Sequence, residues 1–103
     1  MNIKRDFGTS PTVAVAAAVI GQAMKDLYRQ NLVPIKDHVS AICWLGSKAS
    51  TKWFDVANIA QDSALPKLQW DVYARAILSD DEVFLSNGQR RMLTETLEYF
   101  ESS

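Results

Sequence analysis

Apolar residues recur three and four positions apart along most of the chain, and no stretch sustains a strict alternation. That pattern predicts an all-α protein. A first helix is expected over about 11–30, with Ser10 as N-cap and Pro11 at the first helical position, where its missing N–H costs nothing. Val13, Ala17, Ile20, Met24, Leu27 and Tyr28 share one face of it, and Asn31 can take the left-handed conformation that ends it. A second helix over about 34–46 is opened by Pro34 and closed by Gly46, with Ile35, Val39, Ile42 and Cys43 on one stripe. A short third helix over about 51–59 is expected to be capped by Ser50. A fourth over about 65–78 follows the turn Gln61-Asp62-Ser63-Ala64, with Pro66 tolerated in its first turn.

The last third of the chain carries two capping signals. Ser79-Asp80-Asp81-Glu82 reads as a capping box opening a short helical turn that holds Val83, Phe84 and Leu85. Ser86-Asn87-Gly88-Gln89 repeats the signal and launches a fifth helix over about 89–101, with Met92, Leu93, Leu97 and Phe100 facing inward. Asn87-Gly88 would suit a hairpin turn, but the residues after it have a period near 3.6. The expected architecture is therefore a compact single-domain bundle of about five helices spanning 1–103, with 1–9 as a loose N-terminal arm. Its densest part is expected around Trp53, Phe54, Leu68, Val72 and Ile77, with the fourth helix central.

Composition narrows the class. The chain has 103 residues, 48% of them hydrophobic and 22% charged, which is ordinary globular usage and large enough for one core. A net charge of −1, with both signs spread along the chain, supplies no basic footprint for nucleic acid and no polybasic membrane anchor. The single cysteine, Cys43, cannot form an intramolecular disulfide. Lys4-Arg5 followed by the small apolar run 13–20 superficially resembles a signal peptide. However, Asp6 interrupts the basic region, Ser10-Pro11 begins a helix, and the helical pattern continues through Tyr28. The apolar run is also far short of the roughly 18–20 residues that span a bilayer. A cytoplasmic protein is expected.

Chemistry for an enzyme is scarce. His38 and Cys43, the single residues of their types, lie five positions apart on the second helix, about 140° around its axis. A Cys–His nucleophile needs the base within hydrogen-bond reach, and a zinc site needs about four nitrogen or sulfur ligands. The carboxylates of Asp80-Asp81-Glu82 are accounted for by a helix N-terminus. Four scattered glycines build no phosphate loop. The expectation is no catalytic residue, no metal and no cofactor.

Two of the three tryptophans flank a small polar break, in Ala41-Ile42-Cys43-Trp44-Leu45-Gly46-Ser47 and Trp53-Phe54-Asp55-Val56-Ala57-Asn58-Ile59. Over Gln22 to Ile59, this A-x-x-W-L-x-S…W-F-x-x-A-x-I pattern resembles the core of small helical proteins of unknown function encoded by phages and prophages. The resemblance implies an accessory factor of a mobile element, of the kind that occupies a host or phage protein, anti-defence inhibitors among them.

Two surfaces look over-supplied with apolar groups. Trp44 projects from the polar face of the second helix, among Asp37, Ser40 and Ala41, where it either receives the third helix or anchors a partner. Val15 and Val19 lie opposite the first helix's expected inner face, and Ala14, Ala18 and Gly21 leave a small-residue groove. Either that helix threads between others or its outer side pairs with a second copy, making a homodimer through 11–30. The expected function is a non-catalytic protein–protein interaction module, with Trp44, Asp37, Ser40, Val15, Val19 and Lys52 at the partner site. The alternative is a helix-turn-helix-like DNA-binding regulator using 51–78, with Lys48, Lys52, Lys67 and Arg75 toward phosphate. Against it, the polar stripe of the fourth helix has Asp71 in its middle, between Lys67 and Arg75.

Overall fold

The computed structural model describes residues 12–28 and 32–102, which form six α-helices and no strand among the described residues. They are α1 (Val13–Tyr28), α2 (Ile35–Leu45), α3 (Thr51–Val56), α4 (Gln61–Leu68), α5 (Trp70–Ser79) and α6 (Asn87–Glu101). A 3-10 turn, Lys48–Ser50, joins α2 to α3. The all-α single domain holds, with six helices where five were expected because the predicted fourth is two.

Thr12 caps α1, its Oγ1 accepting the Val15 N–H at 3.1 Å. The expected Ser10 cap, Pro11, the terminator Asn31 and the 1–9 arm lie outside the described residues. Ala16, Ile20, Ala23 and Leu27 form the buried stripe. The expected face is thus turned by about one position, leaving Val13 60% and Tyr28 45% exposed. Small side chains at 16 and 23 allow the neighbouring helices to approach closely, which a valine face would prevent. The helix does not thread between others, since Ala14, Ala17 and Ala18 are exposed.

The central helix is α2, which packs against α1, α5 and α6. His38, Val39, Ala41, Ile42, Cys43 and Leu45 are all buried, so it is covered around most of its circumference. Its end is tied down by polar side chains rather than left to water. Gln61 Nε2 donates to the Leu45 carbonyl at 2.8 Å and to Ser50 Oγ at 2.9 Å; Ser50 is fully buried and, instead of capping α3 as expected, donates its hydroxyl back to the Ser47 and Leu45 carbonyls. These bonds satisfy a terminal carbonyl that has no partner within the helix.

Asn58 ends α3 in the left-handed conformation, φ 63°. The Ile59 N–H reaches the Phe54 carbonyl at 2.9 Å and the Asn58 N–H reaches Asp55 at 3.0 Å, a Schellman termination. This helix lies against α1 and α4, with Phe54 buried. Trp44, which the sequence offered as either the landing point of this helix or a partner anchor, is half-buried and packs in part against the core.

Gln69 adopts φ 57° and divides the predicted 65–78 helix. Its N–H bonds back to Pro66 at 3.1 Å, while its carbonyl accepts the Val72 N–H at 3.0 Å and begins α5. The physical reason lies in Leu65 and Trp70, both essentially fully buried. Five positions apart on one continuous helix they would point about 140° apart, so a left-handed residue between them re-aims the second. Trp70, Ala74 and Ile77 then face the core, and Val72, expected inside, is 55% exposed.

Trp70 is the keystone. Its Nε1–H donates to the Ile42 carbonyl at 2.7 Å, its ring packs edge-on to Phe100 at 5.2 Å between centroids, and its benzo edge lies against Gly46. The final helix opens with the expected capping box: the Gln89 N–H bonds to Ser86 Oγ at 3.1 Å and Gln89 Oε1 accepts the Ser86 N–H at 2.9 Å. Leu93 and Leu97 face inward as expected, but Met92 is 45% exposed. The expected box at Ser79 does not form. Ser79 is the last residue of α5, and Asp80 Oδ1 accepts the Glu82 N–H at 2.9 Å in a local turn. Leu85 is buried and pins the loop, while Phe84 is 85% exposed.

Candidate functional site

The chain reverses between α1 and α2, so the two helices run antiparallel, and one side-chain bond joins them near the reversal. Fully buried His38 sits with Nδ1 3.0 Å from the Asp26 carbonyl; facing an acceptor, that nitrogen carries the proton. Its Nε2 is buried without a partner. The imidazole is therefore a clasp inside the hairpin, with no opening to a substrate.

On the outer side of the hairpin lies a groove of about 510 Å³, open along its length. Val19, Ala23, Ala41 and Trp44 form its floor and one end, and Gln22, Asp26, Asp37 and Ser40 its polar edge. Trp44 is half-buried, packed in part against the core and in part lining the groove. Four of the six residues assigned to the partner site thus converge: Trp44, Asp37, Ser40 and Val19. Val15, half-buried, lies one turn before Val19 on the same side of α1, and Lys52 is exposed on α3; neither lines the groove. Sequence reasoning missed Gln22, Ala23, Asp26 and, as a floor residue, Ala41. The spacing 19, 22, 23, 26 is itself a helical face and would have found the first three.

Among the described residues, nothing covers the outer face of α1 proposed for a second copy. Ala14, Ala17 and Ala18 are exposed, and open space surrounds the position of a Cβ on Gly21.

The four cations of the DNA-binding alternative are not gathered on one reading helix, since α4 and α5 replace the single 65–78 helix. Arg75 is paired with Glu101 of α6. Lys48 borders a smaller hollow of about 230 Å³, together with Met92, Glu95 and Tyr99. Lys52 and Lys67 are exposed on α3 and α4, which also expose Asp55 and Asp62.

Cys43 is buried, and desolvation pushes its thiol above the ordinary value; the Thr96 hydroxyl beside it lowers it by less. Burial, with the neighbouring Tyr73, likewise raises the Tyr28 phenol. Among the described residues, no three His, Cys, Asp or Glu side chains converge on a point where a metal ion would sit. No helix among them is long and apolar enough to cross a membrane. Compared with known proteins, the chain matches no family model, no curated protein and no solved structure, and its likeness to others supplies no function.

Proposed function

We propose that this chain is a non-catalytic protein-binding module whose docking surface is the groove between α1 and α2. The observation that carries the reading is the convergence there of Trp44 with Val19, Ala23 and Ala41 in an open apolar trough. Tryptophan is among the side chains most enriched at energetic hot spots, and its half-buried position restricts the rotamers that binding would otherwise have to freeze. A trough with an apolar floor and few converging donors suits a protein surface better than a polar metabolite, whose recognition needs several placed hydrogen-bonding groups. Following the sequence resemblance, the module is an accessory or inhibitor of a phage or prophage that acts by occupying a host or phage protein.

The test places a photo-crosslinking residue at Ser40, on the groove, and separately at Ala76, on the exposed side of α5. A partner crosslinked from position 40 and not from 76 is then purified and titrated against the parent chain and Trp44→Ala. The expected loss in the variant is about 2 kcal/mol or more, roughly 30-fold in Kd. Crosslinking confined to position 76, or unchanged affinity of a properly folded Trp44→Ala protein, refutes the proposal.

A further inference from the structure

We infer that the occupant of the α1–α2 groove is an amphipathic α-helix that places a lysine or arginine against Asp26 and Asp37 and, seven residues away on the same face, an apolar side chain against Trp44. The inference rests on the groove being the docking surface and adds the chemistry of what it takes.

The two walls have the same polarity. On α1, Val19 and Asp26 are seven residues apart; on α2, Trp44 and Asp37 are seven apart, and all four line the groove. Because the helices are antiparallel, both apolar residues fall at one end and both carboxylates at the other. The bond between His38 and the Asp26 carbonyl fixes that carboxylate end. Seven residues of helix rise about 10.5 Å, so the groove presents an apolar seat and an acidic seat at that separation. A helix laid along it meets both with positions i and i+7 on one face.

Charge sets the sign of the occupant. Asp26 accepts a hydrogen bond from Gln22 Nε2 at 3.1 Å, which leaves its charge uncompensated. Among the described residues, neither Asp26 nor Asp37 has an ion-pair partner and no cation lines the groove. A partner that covers them without a counter-charge buries two unpaired carboxylates, which is strongly unfavourable. An anionic surface, whether nucleic acid or lipid headgroups, adds repulsion to that.

The floor sets the secondary structure. Between its two ends the groove offers Ala23 and Ala41, with Gln22 and Ser40 as the uncharged polar side chains. An extended peptide pressed onto such a floor would strand its backbone N–H and C=O groups away from water, and the described residues offer no strand edge to pair with them. A helix satisfies its own backbone.

The experiment pans a display library of random 18-residue peptides against the folded full-length chain. Enriched peptides are synthesised and titrated by calorimetry against the parent, Trp44→Ala, Ser40→Trp and the Asp26→Asn, Asp37→Asn pair. Ser40→Trp obstructs the groove from an exposed position without emptying the core, and circular dichroism confirms that every variant is folded. The expected peptides carry Arg or Lys and a large apolar residue seven positions apart, gain helicity on binding, and lose at least tenfold in affinity with the double Asn variant. Peptides without that cation, or indifferent to the Asn pair, overturn this inference while the groove stands if Ser40→Trp still abolishes their binding. Peptides that bind the Ser40→Trp and Trp44→Ala proteins as well as the parent, or no enrichment at all, overturn the groove reading and this one together.

Discussion

Gly46→Ala isolates the contact on which the bundle turns. Replacing a glycine at a backbone conformation open to any residue ordinarily stabilises a protein by about 0.4–1 kcal/mol through the unfolded chain. Gly46 has such a conformation, φ −94°, so nothing in its backbone requires glycine. What forbids a side chain is space: a Cβ there would lie 2.8 Å from Trp70 Cε2 and 2.9 Å from Cη2, with Cζ2 nearer still. The indole cannot swing aside, because it is fully buried, bonded to the Ile42 carbonyl at 2.7 Å and packed on Phe100. Forcing a methyl into a packed core costs about 1–3 kcal/mol. If the ring moves, an orphaned buried hydrogen-bonding group adds about 1–3 kcal/mol. After the entropic gain, the net expectation is a loss of about 2–4 kcal/mol, or a fall in Tm of about 10–25 °C for a domain of this size. Thermal and urea denaturation followed by circular dichroism measure it. The decisive comparison is a double-mutant cycle with Trp70→Phe, since phenylalanine has no atoms where the outer indole ring collides. In that background Gly46→Ala should cost almost nothing, and the coupling should account for most of the single-variant loss. A Gly46→Ala protein that melts within about 3 °C of the parent, or an equal cost in both backgrounds, refutes this packing of Trp70 on Gly46.

Phe54→Ala should destabilise by about 3–5 kcal/mol in urea titrations, as expected for a buried phenylalanine, whereas Val72→Ala should stay within about 0.5 kcal/mol of the parent. Ser86→Ala removes the acceptor for the Gln89 N–H and should cost about 1 kcal/mol, with helical content lost first at the start of α6 in hydrogen exchange. Because burial raises the Cys43 thiol, the folded state favours its protonated form, and that contribution is complete below the ordinary thiol value of about 8.5 and lost as pH rises through the folded one. The Tm gap between the parent and Cys43→Ala should therefore shrink from pH 7 to pH 10, and a gap that widens contradicts the assignment.

Local chemistry was legible wherever a residue's own neighbours decide its conformation. The Ser86–Gln89 box is such a short-range event, closed by atoms within a few residues, and the sequence carries its signature; the stop at Gly46 was placed correctly, but its glycine is required by distant Trp70, and the left-handed turn at Asn58 fell inside the helix expected over 51–59. The helical period likewise determined the all-α class and, through Trp44, Asp37 and Ser40 on one side of α2, half of the groove. The break at Gln69 was not legible, because glutamine has no preference for φ > 0; it is imposed by the need to bury both Leu65 and Trp70. Carrying the helical phase unbroken across that point is what placed Val72 inside and made the fourth helix central. The rotation of α1 about its axis was a second tertiary decision, since alanine and valine stripes are equally apolar and only the close approach of neighbouring helices selects Ala16 and Ala23. The acidic end of the groove belongs to the same class of fact. Asp26 and Asp37 are ordinary surface residues along the chain, and they face one another because α1 and α2 dock antiparallel with His38 clasped between them. A helix can announce from its sequence which faces it has, but which of two comparable faces is buried depends on surfaces contributed by residues far away in the chain.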